Sequence, residues 1–323
     1  MARIEDYAVV GDLQTGALVS NEGSIDWLCL PRFDSPACFS ALLDTPDAGR
    51  WLLAPEGAGA CTRRRYRDGS LILETEWETA DGTVRVIDFM PPRDAVADIV
   101  RIVEGVRGTV RMHGELTMRF DYGHIIPWVR HDKHGLHAIA GPDAVYFVTP
   151  APLRGENMHT VSDFTISAGE RVPFVLTWAP SHVGRPHTVD AEKVLDSTYA
   201  FWRGWASQCT VKGKYQEAVV RSLVTLKALT YAPTGGIVAA VTTSLPEQLG
   251  GPRNWDYRYC WLRDATMTLQ ALLAAGYTAE AAAWRDWLLR AVAGDPADLQ
   301  IMYGIHGERR LPEMGLPSMP GCG

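Results

Sequence analysis

The feature that most constrains the fold is a change of sequence pattern close to residue 185. Before it, short runs rich in β-branched and aromatic residues alternate with turn signals, and after it apolar residues recur at helical spacing. Strands so closely spaced, with no helix between them, predict an antiparallel β-sandwich rather than βαβ units. The predicted strands are 17–19, 24–30, 83–89, 98–106, 109–120, 136–140, 144–149, 160–166 and 171–178.

Two turn signals join consecutive strands of this set. Gly141-Pro142-Asp143 lies between strands 136–140 and 144–149, and the segment 167–170 lies between the last two strands. Glycine-containing turns between alternating runs are typical of hairpins. We therefore expect each pair to form neighbouring antiparallel strands.

Helices are predicted in the second part of the chain. Asp190 is placed to cap the first helix, which reaches about Gln208 and is expected to link two domains. Gly276 is a plausible C-cap between the third helix and the fourth. The three later helices cover about 215–231, 264–275 and 278–293.

The charge balance disfavours nucleic acid as a partner. The chain of 323 residues has 31 Lys and Arg against 38 Asp and Glu, a net charge of -7. A nucleic-acid binder usually carries a basic face, because phosphate neutralisation dominates its affinity. The one dense basic cluster, Arg63 to Arg65 with Arg67, is interpreted as a solvated strand or loop.

Targeting and cofactor signals are weak. No run approaches the ~20 apolar residues of a membrane helix, and the acidic start at Glu5 and Asp6 is unlike a signal peptide. We therefore expect a soluble, cytoplasmic chain whose six cysteines are free thiols.

Phosphate-binding, serine-nucleophile and HExxH patterns are absent, so no cofactor or metal is predicted. His131, His134 and His137 allow a metal site, but a polar hairpin tip is favoured.

The segment 253–264 is the densest in chemical groups. It holds four aromatic residues, three arginines and two aspartates in twelve positions. Aromatic faces cover the apolar side of a sugar ring, and Arg and Asp donate and accept hydrogen bonds with hydroxyls. An aromatic core strand with a structural Arg–Asp pair explains the same residues. An alternating run would place Trp255, Tyr257, Tyr259 and Trp261 on one side.

Two further segments combine charge with turn residues. The first, 303–313, carries Glu308 and Glu313 and is interpreted mainly as a solvated loop. The second, 23–36, reads as a strand running into a proline-punctuated loop in which Arg32 and Asp34 are able to pair.

Three stretches of the sequence resemble the bacterial branch of glycoside hydrolase family 15, the glucoamylase and trehalase family. The resemblance runs through nearly the whole chain. One stretch is like the β-sandwich N-terminal domain of that family, the second is like the start of its (α/α)6 catalytic barrel, and the third also follows the family. These stretches are 4–36, 254–265 and 301–313.

The resemblance implies a division of the chain and a set of binding residues. The division is a β-sandwich domain over 1–188, a linker helix over 189–211 and a partial barrel over 212–323. The family's Arg–Asp pair, which hydrogen-bonds the hydroxyls of the non-reducing-end glucose, falls on Arg263 and Asp264. The aromatic residues lining that subsite fall on Tyr257 and Trp261, and less surely on Trp255 and Tyr259.

The implied reaction is hydrolysis of an α-glucosidic bond with inversion, on a starch-type oligosaccharide or on trehalose. Its two catalytic glutamates fall beyond residue 323, so no catalytic residue is assigned within the chain. The last residues depart from the family at Met314, Gly315 and Ser318. We therefore expect an inactive fragment. The alternative is a non-catalytic carbohydrate-binding or regulatory module.

Helix faces that would meet absent neighbours are expected to be exposed and to favour self-association. The residues expected there are Leu223, Leu226, Leu269, Leu272, Trp284 and Leu288.

Overall fold

The computed structural model describes residues 2–248, 250–251, 253–313 and 315–316. The departures at Met314 and Ser318, and the thiol of Cys322, lie outside the described residues. The first five strands are β1 (Ala8–Gly11), β2 (Gly16–Val19), β3 (Ser24–Cys29), β4 (Ala37–Phe39) and β5 (Arg50–Pro55). The next five are β6 (Arg63–Tyr66), β7 (Leu73–Glu78), β8 (Gly82–Phe89), β9 (Ala97–Thr117) and β10 (Trp128–Asp132). They are followed by β11 (Gly135–Ala140), β12 (Asp143–Val148), β13 (Arg154–Glu156), β14 (His159–Ser167) and β15 (Arg171–Pro180).

These strands form one antiparallel sheet in two halves, joined by β9. The first half has the order β1-β2-β3-β5-β9-β14-β13, with β4 on β3. The second has the order β6-β7-β8-β9-β15-β12-β11-β10. Side chains of both halves contribute to one hydrophobic core, which includes Ile25 and Trp51 from the first half and Val86 and Phe147 from the second. The predicted antiparallel β region is confirmed.

Strand β9 corrects the prediction of two strands over 98–106 and 109–120. It continues through Gly108, whose φ of +66° lies in the left-handed region. A Cβ there would lie 2.1 Å from the carbonyl oxygen of Asp81, so glycine is required. The pairing of β8 with β9 shifts register close to this point. This irregularity re-aims the strand from one half of the sheet to the other.

The hairpin predicted around residues 167–170 is also wrong. The turn is present, but β14 and β15 do not pair with each other. β14 pairs with 109–116 of β9, and β15 pairs with 97–104. The turn therefore passes the chain from one half of the sheet to the other. The hairpin of β11 and β12 is confirmed.

Arg63 to Arg65 of the basic cluster lie on strand β6, where Arg63 and Arg65 are exposed and Arg64 is half-buried, and Arg67 follows the strand. Arg65 and Arg67 both pair with Glu74, at 2.8 and 2.9 Å. The Nη2 atom of Arg64 donates to the carbonyl oxygen of Val19 at 2.5 Å. The Arg64 contact ties the start of the second half of the sheet to β2 of the first half, and the Glu74 pairs hold β6 to β7.

Helix α1 (Ala191–Ala206) joins the sheet to the helices. The side chain of Asp190 caps it by accepting from the backbone N–H of Lys193. Its first turns, through Leu195, pack on the second half of the sheet. Its last turns, through Trp202 and Trp205, pack on the later helices. The two ends of α1 therefore pack through apolar side chains on different partners, the sheet and the later helices.

The described residues after α1 form three α-helices and two small strand pairs. The helices are α2 (Gln216–Ala228), α3 (Leu262–Ala274) and α4 (Thr278–Ala291). The strands are β16 (Thr230–Tyr231) with β17 (Gly236–Ile237) and β18 (Cys260–Trp261) with β19 (Met302–Tyr303). Single 3-10 turns occur at Ile4–Asp6, Ala41–Leu43, Pro46–Ala48 and Pro296–Asp298.

Glu280 connects three of the helices. Its Oε1 accepts from the indole of Trp205 on α1 at 2.6 Å and lies 3.1 Å from the ammonium of Lys227 on α2. Burial alone would raise the pKa of Glu280, but these two partners hold it below its usual range.

The expectation about exposed helix faces is partly wrong. Leu223, Leu272 and Trp284 are buried, because the helices pack on one another and on the sheet. Leu226, Leu269 and Leu288 are half-buried. The large apolar side chains that α3 and α4 expose are instead Met267, Leu273 and Leu289. Self-association stays a prediction, now placed on those three residues.

The described helices were also compared with the requirements for membrane insertion. None is both long enough and apolar enough to cross a bilayer.

Candidate functional site

The structure brings together the three segments that the sequence singles out. Strand β18, within 253–264, pairs with β19 at the start of 303–313, so that Cys260 faces Tyr303 and Trp261 faces Met302. The loop after β3 packs on the same place through Phe33, which joins a hydrophobic cluster with Cys260 and Tyr303. The candidate site therefore lies where the β region meets the helical region.

The loop after β3 contributes a charged pair. Arg32 Nε and Nη2 donate to the two carboxylate oxygens of Asp34 at 2.9 and 3.2 Å, which confirms the expected pairing. Burial raises the pKa of Asp34, the Arg32 guanidinium opposes this shift, and the carboxylate of Glu308 adds to it. The carboxylates of Asp34 and Glu308, on the two loops, therefore interact electrostatically.

Three aromatic rings form a cluster in front of α3. Trp255 and Tyr257 each meet the ring of Trp261 edge to face, with centroids 5.7 Å apart in both cases. Trp261 is only 8% exposed, and its indole N–H donates to the carbonyl oxygen of Asp256 at 2.9 Å. Trp255 and Tyr257 are half-buried and keep part of their rings accessible.

The expectation of one alternating strand over these residues is wrong. Asp256 forms an isolated bridge with Thr243, and the chain then turns at 257–258 before β18 begins. Three of the four rings still meet, because the turn folds Trp255 back towards Trp261. Tyr259 is half-buried and has no ring contact among the described residues.

Arg263 and Asp264 lie in the first turn of α3, directly after the ring cluster. Arg263 Nε and Nη2 both donate to Asp264 Oδ2, at 3.2 and 3.0 Å. The side chains are 69% and 32% exposed. A carboxylate is favoured at this end of a helix by the helix dipole. Since the pair is accessible, its remaining donors and acceptors are free to meet a ligand.

Arg258 is the important residue that the sequence reasoning missed. Its guanidinium pairs with Asp256 at 2.7 Å and is 5% exposed. It also donates to the carbonyl oxygen of Ser35 at 2.8 Å and lies over the rings of Trp27 and Tyr122. This arginine therefore fastens the aromatic segment to the β region. The signal in the sequence was the spacing Asp256-x-Arg258 inside an aromatic run.

The loop 304–308 is tightly folded. Glu308 Oε2 accepts from the backbone N–H of His306 at 2.9 Å. A Cβ at Gly304 would lie 2.1 Å from the same oxygen, so any other residue there would displace the Glu308 side chain. His306 meets the ring of Tyr231 edge to face, with centroids 5.4 Å apart. The carboxylate of Glu308 is thus used to shape its own loop.

The histidine cluster lies elsewhere, on the hairpin of β10 and β11. Its position at a polar hairpin agrees with the favoured interpretation. His137 stacks on Tyr146, with centroids 6.0 Å apart.

Two family models match the chain. The model described as trehalase-like, N-terminal, matches residues 1–178, and the model of glycosyl hydrolases family 15 matches residues 213–321. The chain belongs to glycosyl hydrolase family 15. The resemblance noted in the sequence is therefore confirmed. The aromatic segment and the Arg263–Asp264 pair lie in the part that the family 15 model matches, and the loop after β3 lies in the part that the N-terminal model matches.

Curated relatives of this family 15 chain are trehalases. The trehalase of Mycolicibacterium smegmatis is 35% identical over 349 residues, covering 98% of this chain and 52% of the relative. The trehalase of Thermoplasma volcanium is 30% identical over 317 residues, covering 96% of this chain and 51% of the relative. The chain thus spans about half the length of the curated relatives it matches.

A solved structure shows the same fold. A bacterial glucoamylase complexed with acarbose superposes with a TM-score of 0.67 at 13% identity, covering 95% of this chain and 52% of that one. At this identity the likeness shows the fold alone.

Proposed function

We propose that this chain contributes the sugar-binding segment of an α-glucoside hydrolase, with a trehalose-type sugar as substrate. Tyr257, Trp261, Arg263 and Asp264 form the subsite for the terminal glucose. The observation that carries the proposal is the ring cluster standing directly before an accessible Arg–Asp pair. The relatives named as trehalases favour trehalose over starch-type chains.

Each proposed residue has a distinct part. Tyr257 offers a partly accessible ring for the apolar face of the sugar, and Trp261 holds that ring in place edge to face. Arg263 donates to hydroxyl oxygens, and Asp264 accepts from hydroxyl groups, in charge-assisted hydrogen bonds. The family's (α/α)6 barrel is the proposed setting, of which α2 to α4 are the first helices.

The proposed reaction is hydrolysis with inversion. It needs one protonated carboxyl group and one carboxylate base about 6.5–9.5 Å apart. Glu308 is held by its own loop, Asp256 is paired with Arg258, and Asp264 is assigned to the sugar. We propose that both catalytic glutamates are supplied by residues outside this sequence. The chain alone then binds sugar without hydrolysing it.

Calorimetric titration of the chain with trehalose, maltose and acarbose tests the binding proposal. We expect trehalose to bind, and Asp264→Asn to weaken binding roughly tenfold, as for loss of a charge-assisted hydrogen bond. Asp286→Asn is the matched control, because Arg285 and Asp286 form the same adjacent pair on α4, at 2.8 Å. Equal loss in both variants, or none in Asp264→Asn, would overturn the assigned subsite.

Hydrolysis is tested separately by measuring glucose release from trehalose. We expect none from the purified chain. Clear release that survives Asp264→Asn would place the acid and base inside the chain, and this outcome leaves the binding result intact. The alternative, a non-catalytic carbohydrate-binding module, is not favoured by the relatives.

We also propose the domain division 1–188, 189–211 and 212–323. Both family models lie within its first and third parts. Limited proteolysis is expected to cut first at 181–190, between β15 and α1, because that segment has no regular structure. First cuts inside β9 or α2 would contradict this division.

A further inference from the structure

A pocket lies in the β region, away from the aromatic segment 253–264. Its volume is about 580 Å³, and its lining comes entirely from residues between Leu116 and Thr160. The walls are the end of β9 and the two hairpins β10–β11 and β13–β14. Small-molecule sites are typically about 300–1,000 Å³. The pocket is therefore large enough for a small organic ligand.

Arg119 lines this pocket and forms no salt bridge within the described part of the chain. The residue is 7% exposed. Its Nη1 donates to the carbonyl oxygens of Met118 and Met158, at 2.8 and 3.4 Å. No carboxylate of the described chain lies within 4.0 Å of its guanidinium. Burial lowers the pKa of Arg119, and the more distant carboxylate of Asp47 only partly opposes this shift. Since a buried charge is costly unless it is paired, the site favours an anion.

The geometry of Arg119 leaves donors for a ligand. A guanidinium carries five N–H groups, and within the described structure only those on Nη1 donate to protein oxygens. Nε and Nη2 remain, and together they form the fork that fits a carboxylate or phosphate.

The rest of the pocket is mainly apolar. Leucines form its walls, and three large apolar side chains stand at its mouth with about half or more of their surface in water. The wall leucines are Leu116, Leu136 and Leu153, and the mouth residues are Ile126, Val129 and Met158. Such a lining gains free energy by covering an apolar body.

The other charged groups of the pocket are already paired. Arg154 lies 3.4 Å from Glu156 and 2.6 Å from Asp163, so these charges offset one another. His159 Nδ1 shares a 2.6 Å hydrogen bond with the hydroxyl of Thr117. Arg119 is thus the cation left without an anion among the groups that line the pocket.

A strained turn covers Arg119. Asn157 and Met158, at the tip of the β13–β14 hairpin, have φ values of +48° and +64°. This conformation is costly for methionine, by about 1–2 kcal/mol, and such strain collects at ligand clamps. Here it brings the Met158 carbonyl to Arg119 and the Met158 side chain to the mouth.

We propose that this pocket binds a small amphipathic anion, with its carboxylate or phosphate head on Arg119 and its apolar body against the leucines. The anionic head would supply the partner that the Arg119 guanidinium lacks. The apolar body would cover the apolar side chains that are exposed at the mouth of the pocket.

Calorimetric titrations of the chain with octanoate, octanol and inorganic phosphate separate the two requirements. We expect octanoate to bind at one site, and octanol and phosphate to bind at least tenfold more weakly, because each lacks one half of the recognised chemistry. Octanol binding as tightly as octanoate, phosphate binding as tightly as octanoate, or no octanoate binding would each overturn the proposal.

Variants locate the site. Arg119→Met is expected to weaken octanoate binding roughly 10- to 100-fold, whereas Arg111→Met, at an 80% exposed arginine, leaves it unchanged. If Arg119→Met fails to fold, the exposed mouth residue Ile126 provides the test. Ile126→Glu should weaken the binding of octanoate, because it adds a like charge, and Ile126→Lys should not. Equal effects of the two Ile126 variants, or unchanged binding in folded Arg119→Met, contradict the assignment.

Discussion

The β region and the start of α3 each contain an arginine–aspartate pair, and the two pairs differ in exposure and in partners. Arg101 and Asp88 are 0% and 1% exposed, while Arg263 and Asp264 are 69% and 32% exposed. Arg101 also donates to the carbonyl oxygens of Trp51 and Gly23, at 2.7 and 2.8 Å. The buried pair has used its hydrogen-bonding capacity within the protein, and the exposed pair keeps capacity for a ligand.

The largest effect is expected from breaking the buried pair. Arg101→Met leaves the Asp88 carboxylate without a cation inside the core, and removing one partner of such a pair costs about 3–5 kcal/mol. Urea unfolding measures this loss in the free energy of unfolding. Arg111→Met serves as the control, because Arg111 is 80% exposed and lies 3.7 Å from Glu56. A loss for Arg101→Met no larger than that of the control would show that burial is not the deciding difference.

Asp98 extends the comparison to a buried carboxyl group that forms no salt bridge with any described arginine. Asp98 is 7% exposed and accepts from the hydroxyl of Thr177 at 2.5 Å. Burial raises its pKa from 3.8 to about 6, the Thr177 hydrogen bond and Arg93 oppose the shift, and Asp12 adds to it.

The sign of the resulting pH dependence follows directly. Between pH 3.8 and about 6 the folded chain holds a proton on Asp98 that the unfolded chain has lost, so stability falls as the pH rises through this window. Asp98→Asn should remove this contribution and stabilise the protein above pH 7 by on the order of 2–3 kcal/mol. Unfolding free energies measured at pH 4 and pH 8 check this, and an equal change at both pH values would contradict it.

A smaller effect is expected at Arg258, which is buried while its partner Asp256 is 23% exposed. In Arg258→Met the carboxylate can regain water, so we expect a loss of about 1–2 kcal/mol from the missing hydrogen bonds. Because Arg258 holds Ser35, the sheet and the helices should also unfold less cooperatively. Calorimetric unfolding detects this as a broadened or split transition. Arg258→Lys, which keeps the charge but not the planar fork, should recover part of the loss; full recovery would show that geometry is unimportant.

The sequence predicted local structure better than long-range pairing. The alternating runs located eight of the fifteen strands of the large sheet, and the helical spacing located the four described α-helices, because these patterns report which face of each element is buried. Strands β1, β4 to β7, β10 and β13 were missed. The hairpin over β14 and β15 was wrong because both strands pair with β9, whose paired residues lie from 44 positions earlier (Leu116 for Thr160) to 81 positions earlier (Ala97 for Trp178). No local pattern distinguishes a turn that closes a hairpin from one that changes sheet halves.

The same limit applies to the candidate site. The types of its groups were visible in the segment 253–264, since aromatic and charged residues are dense there. Their arrangement was not, because it depends on contacts such as Arg258 to Ser35, which are 223 positions apart. For this reason the four rings that an alternating run would place on one side became a cluster of three around a buried Trp261.

The smallest effect on stability is expected where the effect on binding is largest. Asp264→Asn removes an exposed ion pair, and such pairs contribute about 0–1 kcal/mol. Asp286→Asn on α4 breaks a pair with the same adjacent spacing, in which the aspartate is more exposed, at 54% against 32%. In urea unfolding, the free energy of unfolding of both variants should therefore lie within about 0.5 kcal/mol of that of the parent. Only Asp264→Asn should lose affinity for trehalose. A stability loss in Asp264→Asn as large as that in Arg101→Met would mean that the pair at the start of α3 holds the fold together, and the contrast between the two regions would then disappear.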